Sequence, residues 1–210
     1  GNFPDYDTDL YDSKAHILVV IEKKSQRIIG TYRLIEGLRS KDFYSSSEFQ
    51  IKKFLAMETG KKLELSRACI HPQHRNGAVI LMLWRGIYSA LNQLNADIMF
   101  GCSSISNIKK NHLVKIMGYL QENKHTIDNK WDVTPKSKFN CNQSLLSHLY
   151  EINQPFSIAD QVPPLLRAYL KIGAKVLSIP AYDKNFQCFD FFTILRISEL
   201  NQTTKRKLAA

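Results

Sequence analysis

Long apolar runs are missing from this sequence. The longest, Ala78 to Trp84, falls far short of the roughly 20 residues that cross a bilayer. Any membrane role is therefore peripheral contact with an anionic surface, expected at the cytoplasmic face. No Cys-x-x-Cys occurs, and Cys69, Cys102, Cys141 and Cys188 stand far apart. That spacing argues against structural zinc. No cationic start with an apolar stretch and a small-residue cleavage site is seen, so the thiols read as reduced and cytoplasmic. Internal repeats and low-complexity tracts are absent. Acidic residues are the scarcer charge: 19 Asp and Glu against 29 Lys and Arg, a net +10. Such a surface favours an acidic partner, whether nucleic acid, anionic lipid or a carrier protein. The basic residues are scattered without a zinc-finger or RNA-recognition signature, so nucleic acid is not the expected partner.

With 210 residues, 44% of them hydrophobic, the chain is long enough for one globular domain with a real core. Ala15–Glu22 and Arg27–Ile35 read as a β-hairpin about a polar turn. Ser45-x-x-Glu48 reads as a capping box opening a helix over Phe49–Met57. Lys62–Ile70 alternates as a strand. Apolar residues at Val79, Ile80, Leu83, Trp84, Ile87, Leu91 and Leu94 give a helix over Ala78–Leu94. Ala96–Gly101 is again a strand, making residues 62–101 a βαβ unit. Leu113 to Leu120 has helical spacing, 123–142 is loop-like, and Leu145–Ile152 reads as a short helix. Residues 105–161 form a variable stretch. Pro163-Pro164 begins a helix that Gly173 ends. Strands over Lys175–Ile179 and Cys188–Ile197 follow, and Thr203–Ala210 reads as frayed.

Four constellations carry chemistry. The loop His74-Arg75-Asn76-Gly77-Ala78 joins a strand to a long helix, whose free N–H groups and dipole can hold pyrophosphate; a plain turn that needed a glycine is the bland reading. On the preceding strand, Glu64 and Ser66 share one face and Arg67 takes the other by strict alternation. Charge on a central strand is costly unless paired or functional, so Glu64 is a candidate for handling a proton. Asp9-x-x-Asp12 with Arg33 either holds a cationic amine or is a solvated leader. Gly101-Cys102-Ser103-Ser104 sits at a strand's C-terminal end, where sites gather in open α/β sheets. A hydroxyl there can polarise a thioester or protonate a leaving thiolate.

Together these segments resemble the GNAT acyltransferase superfamily. Asp9-x-x-Asp12, Gly30-x-x-Arg33-Leu34 and Glu64-x-x-Arg67 are similar to the acid/arginine set of acyl-homoserine-lactone synthases. The stretches L-E-L-S-R-A-C-I-H-P, F-G-C-S-S, V-P-P-L-L-R-A-Y-L-K-I-G-A-K-V and P-A-Y-D-K-N-F-Q-C-F-D-F-F resemble the L-ornithine Nα-acyltransferases more closely still. The resemblance implies an α/β (α+β) fold, a mixed central sheet flanked by helices, in one GNAT-like domain over 1–210. It implies an acyltransferase with no resident cofactor or metal. The co-substrate is an acyl-phosphopantetheine thioester, on acyl carrier protein or CoA, and an amino acid accepts the acyl group. Glu64 would handle the proton, Arg33 and Arg67 organise the site, and Asp9 and Asp12 brace its wall. Backbone groups beside Cys69 and Ile70, with Ser103 or Ser104, would stabilise the oxyanion. The His74–Ala78 loop would grip phosphopantetheine. Arg75, Lys109, Lys110, Arg167 and Lys171 would dock the acidic carrier.

There are departures. Arg75-Asn76-Gly77-Ala78 is one residue shorter than the usual GNAT loop. Lys14-Ala15-His16 stands where the ornithine enzymes have Cys-Asp-His. The family's N-terminal helical segment has no counterpart, so the start reads as incomplete. Readings that stay open are ping-pong transfer through Cys69 or Cys102, with His71 as base, an autoinducer synthase, an N-acyl amino acid synthase for another amino acid such as tyrosine, and a basic nucleic-acid-binding module.

Overall fold

Alternation along the strands sorts apolar side chains onto two faces of one sheet. In the computed structural model, which describes residues 7–37, 42–106, 108, 110–141, 162–177 and 179–209, that sheet is mixed and carries helices. Its strands are β1 (His16–Ile21), β2 (Ile28–Glu36), β3 (Lys62–Ile70), β4 (Ile98–Ser106), β5 (Lys175–Val176), β6 (Ala181–Asp183) and β7 (Cys188–Arg196). The order is β1-β2-β3-β4-β7-β5, with β6 also on β7. The β3–β4 pair is parallel, as a strand–helix–strand crossover requires. The helices are α1 (Ser45–Glu48), α2 (Lys52–Met57), α3 (Ala78–Leu94), α4 (Lys110–Glu122), α5 (Pro164–Lys171) and α6 (Gln202–Ala209).

One face packs Tyr32, Leu34, Leu63, Leu65, Met99 and Phe191 against Leu83, Trp84 and Ile87 of α3 and Leu166 and Tyr169 of α5. The other gathers Ile35, Phe49, Phe54, Phe100, Trp131 and Phe192, with edge-on Phe54–Phe100, Phe54–Trp131 and Phe54–Phe192 pairs. Arg33, Glu64, Ser66, Cys102, Ser104 and Asp190 are polar positions of this second face.

β3, α3 and the hairpin form where alternation and helical spacing place them. Four expectations need correcting. The helix over Phe49–Met57 is two short helices, Ser45–Glu48 and Lys52–Met57, parted by Phe49, which bridges to Pro135. Ala181–Asp183 is a strand that was not anticipated, too short to show alternation. The strand expected over Lys175–Ile179 pairs only at Lys175–Val176. The tail is a helix, not a frayed end, with Leu208 buried in the α3-side core. The short helix expected over Leu145–Ile152 lies outside the described residues.

At Gly101, just past the last β3–β4 pair, the β4 backbone still lies against that of β3. A Cβ there would meet the Leu65 carbonyl oxygen at 2.2 Å, whereas one at Gly118 on α4 would meet nothing. Backbone cannot yield as a side chain does, so Gly101→Ala is expected to cost about 3 kcal/mol. Gly118→Ala should gain up to about 1 kcal/mol from helix propensity. Denaturant melts of the two variants check this; equal midpoints would contradict it.

Candidate active site

A β-bulge shapes the centre of the site. Thr31 opposes Cys69 and Arg33 opposes Ser66, so Arg67 and Ala68 together face the single residue Tyr32. Arg67 takes φ +49°, a left-handed conformation that absorbs the extra residue. Strict alternation would place Arg67 on the face opposite Ser66. The bulge instead turns its guanidinium to the Ser66 side, where Nη1 donates to the Asp7 carbonyl at 2.8 Å and Nη2 to Asp9 Oδ2 at 3.1 Å.

Arg33, 1% exposed, is the hub. Its Nε donates to Ser66 Oγ at 2.9 Å, and its Nη1 to Asp9 and Asp12 at 2.6 and 2.7 Å. Its guanidinium lies 5.6 and 5.5 Å from the rings of Tyr11 and Tyr44. Nη2 has no hydrogen-bond partner among the described residues. Burial would raise the Asp9 carboxyl, but the Arg33 hydrogen bond, the Tyr11 N–H and both arginine charges outweigh it and hold the group below its ordinary range. Asp9 and Asp12 are thus brought together with Arg33 and, through Asp9, with Arg67.

Glu64 is fully buried. Its carboxylate accepts from the Tyr44 N–H at 2.7 Å, the Ser45 N–H at 2.6 Å and the Ser45 hydroxyl at 2.5 Å. Burial pushes it up to about 7, although the Ser45 and Tyr44 hydrogen bonds and the Arg33 charge pull the other way. The Ser45–Glu48 capping box does not form, because Ser45 serves Glu64 and Glu48 pairs with the Tyr44 hydroxyl. Cys102 Sγ lies 3.6 Å from Ser45 Oγ, so Cys102, Ser45 and Glu64 form a polar line running inward.

The line starts at a cleft. β3 and β4 pair only from Lys62–Ile98 to Glu64–Phe100 and then part. A cleft of about 490 Å³ lies beside the parting, lined by Asp7, Asp9, Tyr44, Ser66, Arg67, Cys102, Ser104, Asp183, Cys188 and Asp190 among others. Glu64 is set behind this lining, one residue inward. On the α3 side a narrower cavity, about 30 Å³, is lined by Leu65, Trp84, Gly101, Cys102, Ser103 and Tyr169 among others. Cys102 borders both spaces. Burial, then the Glu48 and Asp190 charges, pushes its thiol well above its ordinary range, so it stays protonated and is a poor nucleophile.

Ser103 and Ser104 do not act on one space. Ser103 faces the α3 side, where Thr193 Oγ1 lies 2.8 Å from its Oγ. Ser104 faces the cleft and donates to Asp190 Oδ1. Cys69 is exposed, and the Ile70 carbonyl accepts from Arg75 Nε at 3.0 Å.

Pro72–His74 forms a single 3₁₀ turn before the α3 loop, and Gly77 takes φ +92° to enter the helix. Asn76 Oδ1 accepts from the Ala78 N–H at 3.1 Å, which leaves the next N–H groups at the helix start for an anion. Arg75, Asn76, Gly77 and Ala78 are exposed and His74 is half-buried. Lys171 is exposed and Arg167 half-buried on α5. Lys110 begins α4; Lys109 lies outside the described residues.

Three lining or flanking carboxyls escaped the reading of the sequence: Glu48, Asp183 and Asp190, 1%, 6% and 3% exposed. The signal for Asp190 was there, a carboxylate amid F-D-F-F, since an acid within an apolar strand is costly without a role. Burial raises Asp190, with the Asp183 charge adding to it against the hydrogen bonds from Ser104 and Cys188. Burial raises Glu48, and the Asp190 charge adds to it.

Residues 1–85 match the acetyltransferase (GNAT) domain family. The L-ornithine N(alpha)-acyltransferase of Rhizobium meliloti (strain 1021) is 28% identical over 204 residues, 93% of this chain and 68% of that protein. The protein of the same name from Brucella abortus (strain 2308) is 27% identical over 213 residues, 93% of this chain and 72% of that one. Among solved structures, a CoA-dependent acyl-homoserine lactone synthase, determined with SAM and isopentyl-CoA, superposes with a TM-score of 0.52 at 13% identity, covering 99% of this chain and 69% of that one. The last likeness bears on the fold.

Proposed function

We propose, for a chain that is an acyltransferase of the GNAT fold, that it moves a long-chain fatty acyl group, with or without a 3-hydroxyl, from acyl carrier protein to the α-amine of ornithine. The observation that carries this reading is the parting of β3 and β4, with an acidic cleft on one face, an apolar cavity on the other, and Cys102 bordering both. A thioester laid into the parting from the α3 side would meet an amine from the cleft side. The names of its relatives supply ornithine as the acceptor.

In this reading the phosphopantetheine phosphate rests at the start of α3, on the N–H groups after Gly77. The acyl chain lies toward Trp84 and Tyr169. The cavity there is smaller than a fatty chain, so these rings, edge to face at 5.1 Å, separate to admit it. The neutral amine attacks the thioester carbon directly. Its proton passes by way of the Ser45 hydroxyl to Glu64, whose shifted range suits a base near neutral pH. Backbone N–H groups along the unpaired edge of β3, near Cys69 and Ile70, receive the oxyanion. Ser103, on the donor face, donates a hydrogen bond to the leaving thiolate, which departs as the thiolate and takes its proton from solvent. Arg33 and Arg67 hold the N-terminal wall through Asp9 and Asp12. The net charge of +10 suits an acidic carrier, with Arg75, Lys109, Lys110, Arg167 and Lys171 as its docking set. Membrane contact, at the cytoplasmic face, follows from the lipid-like product. No helix among the described residues is long and apolar enough to cross a membrane.

Mass spectrometry of lipids from a strain expressing the chain tests the reading. An N-acyl-ornithine absent from the control strain is expected. Acylation confined to tyrosine or to another uncharged amino acid would overturn the acceptor.

A further inference from the structure

The cleft carries an electrostatic imbalance that runs against the rest of the protein. The chain is basic overall, yet four of the residues lining this space are aspartates and one is an arginine. The two ends of the cleft differ. At the end nearer the N-terminus, Asp7, Asp9 and Asp12 each pair with Arg33 or Arg67. At the far end, Asp183, Asp190 and Glu48 have no cationic partner among the described residues. Asp183 Oδ1 is occupied by the N–H groups of Asn185 and Phe186, and Asp190 by Ser104 and Cys188. Glu48 is different. It is 1% exposed, sits against Tyr44, Cys102 and Asp190, all of which line the cleft, and its Oε2 has no hydrogen-bond partner among the described residues.

A buried carboxylate oxygen without a partner is costly unless something fills its place. The three acids do not converge as metal ligands do, for no group of three or more such donors among the described residues could hold an ion. A primary ammonium suits the geometry better, because its three N–H groups diverge and can each meet a different acceptor. We propose that Glu48 Oε2 and Asp190, at the β7 end of the cleft, form the subsite for the side-chain ammonium of the acceptor amino acid. The inference rests on ornithine as acceptor and says which residues select it. With the ammonium held there, the three methylenes run along Tyr44 and Cys102. The α-amine then comes to the β3–β4 parting, so the α rather than the δ nitrogen is acylated.

The test is a set of acceptor kinetics at saturating acyl donor, comparing ornithine with norvaline, which has the same carbon chain and no δ-amine. Wild type should favour ornithine in kcat/KM by at least about a hundredfold, as sites built around a polar group reject analogues lacking it. Asp190→Asn, which keeps an acceptor for Ser104, should shrink that ratio at least about tenfold, chiefly through the KM for ornithine. Glu48→Gln provides the same reading should Asp190→Asn fail to fold, and the wild-type ratio needs no variant. Wild type that acylates ornithine and norvaline alike would overturn the subsite and leave the acceptor standing. So would folded variants with the ratio intact. Acylation of uncharged amino acids but not of ornithine would overturn the acceptor itself.

Discussion

Glu64→Gln is expected to lower kcat by about 10²- to 10⁴-fold, the range for losing a positioned proton acceptor. A carboxyl pushed up to about 7 by burial must be ionised to take a proton. In wild type kcat should therefore fall about tenfold per pH unit below that point, and in Glu64→Gln this limb should vanish. The sign for stability is the reverse. The folded group holds its proton more tightly than the unfolded one, whose ordinary value is 4.5. The stability tied to the protonated form is full below about 4.5 and is lost as pH rises through about 7. Melting temperature against pH should show this slope in wild type and a shallower one in the variant, where the raised Glu48 and Asp190 remain. Ser45→Ala separates relay from scaffold. It keeps the Tyr44 and Ser45 N–H bonds to Glu64 and removes only the hydroxyl, so kcat should drop while the melting temperature holds. A fully active Ser45→Ala with the acid limb intact would remove the relay.

Arg33→Ala is expected to be the most destabilising of the single charge deletions, by about 3–5 kcal/mol. Arg33 is 1% exposed and answers Asp9, Asp12 and Ser66 at once, between two tyrosine rings. Its removal leaves Asp12 without its cation, Asp9 with Arg67 alone, and the half-buried Ser66 hydroxyl without its donor. Lys53–Asp132 is the contrast, with both side chains largely exposed, and Lys53→Ala should cost under about 1 kcal/mol. Denaturant midpoints give both. A loss at Arg33 no larger than at Lys53 would mean that the N-terminal wall is not held as described.

How far the sequence was legible follows from what each element depends on. α3 was readable because its three-to-four-residue period runs for the whole element, and β3 because its period of two runs from Lys62 to Ser66, before the bulge. α6 was not, because a single apolar residue, Leu208, buries it, and one residue has no period. The side taken by Arg67 was hidden by a bulge that no glycine or asparagine announces; an arginine at φ +49° leaves no compositional trace. Ser45-x-x-Glu48 has the spacing of a helix cap, while the competing partners, Glu64 for Ser45 and Tyr44 for Glu48, come from the fold. Ser103 and Ser104 look equivalent in a row, yet strand pleating sends them to opposite faces. The acid/arginine set is close in space because β2 and β3 pair directly, with Arg33 opposite Ser66. The acids at the other end depend on β7 lying next to β4, a pairing of residues far apart in sequence.

Purified chain, given 3-hydroxyacyl carrier protein and ornithine, offers the most direct measurement: thiol release followed against the amide formed. Direct attack across the β3–β4 parting predicts one α-N-acyl-ornithine for each thiol freed, and no thiol release without the amine. Thiol release that continues without ornithine and yields free fatty acid, or acylation at the δ nitrogen, would contradict it.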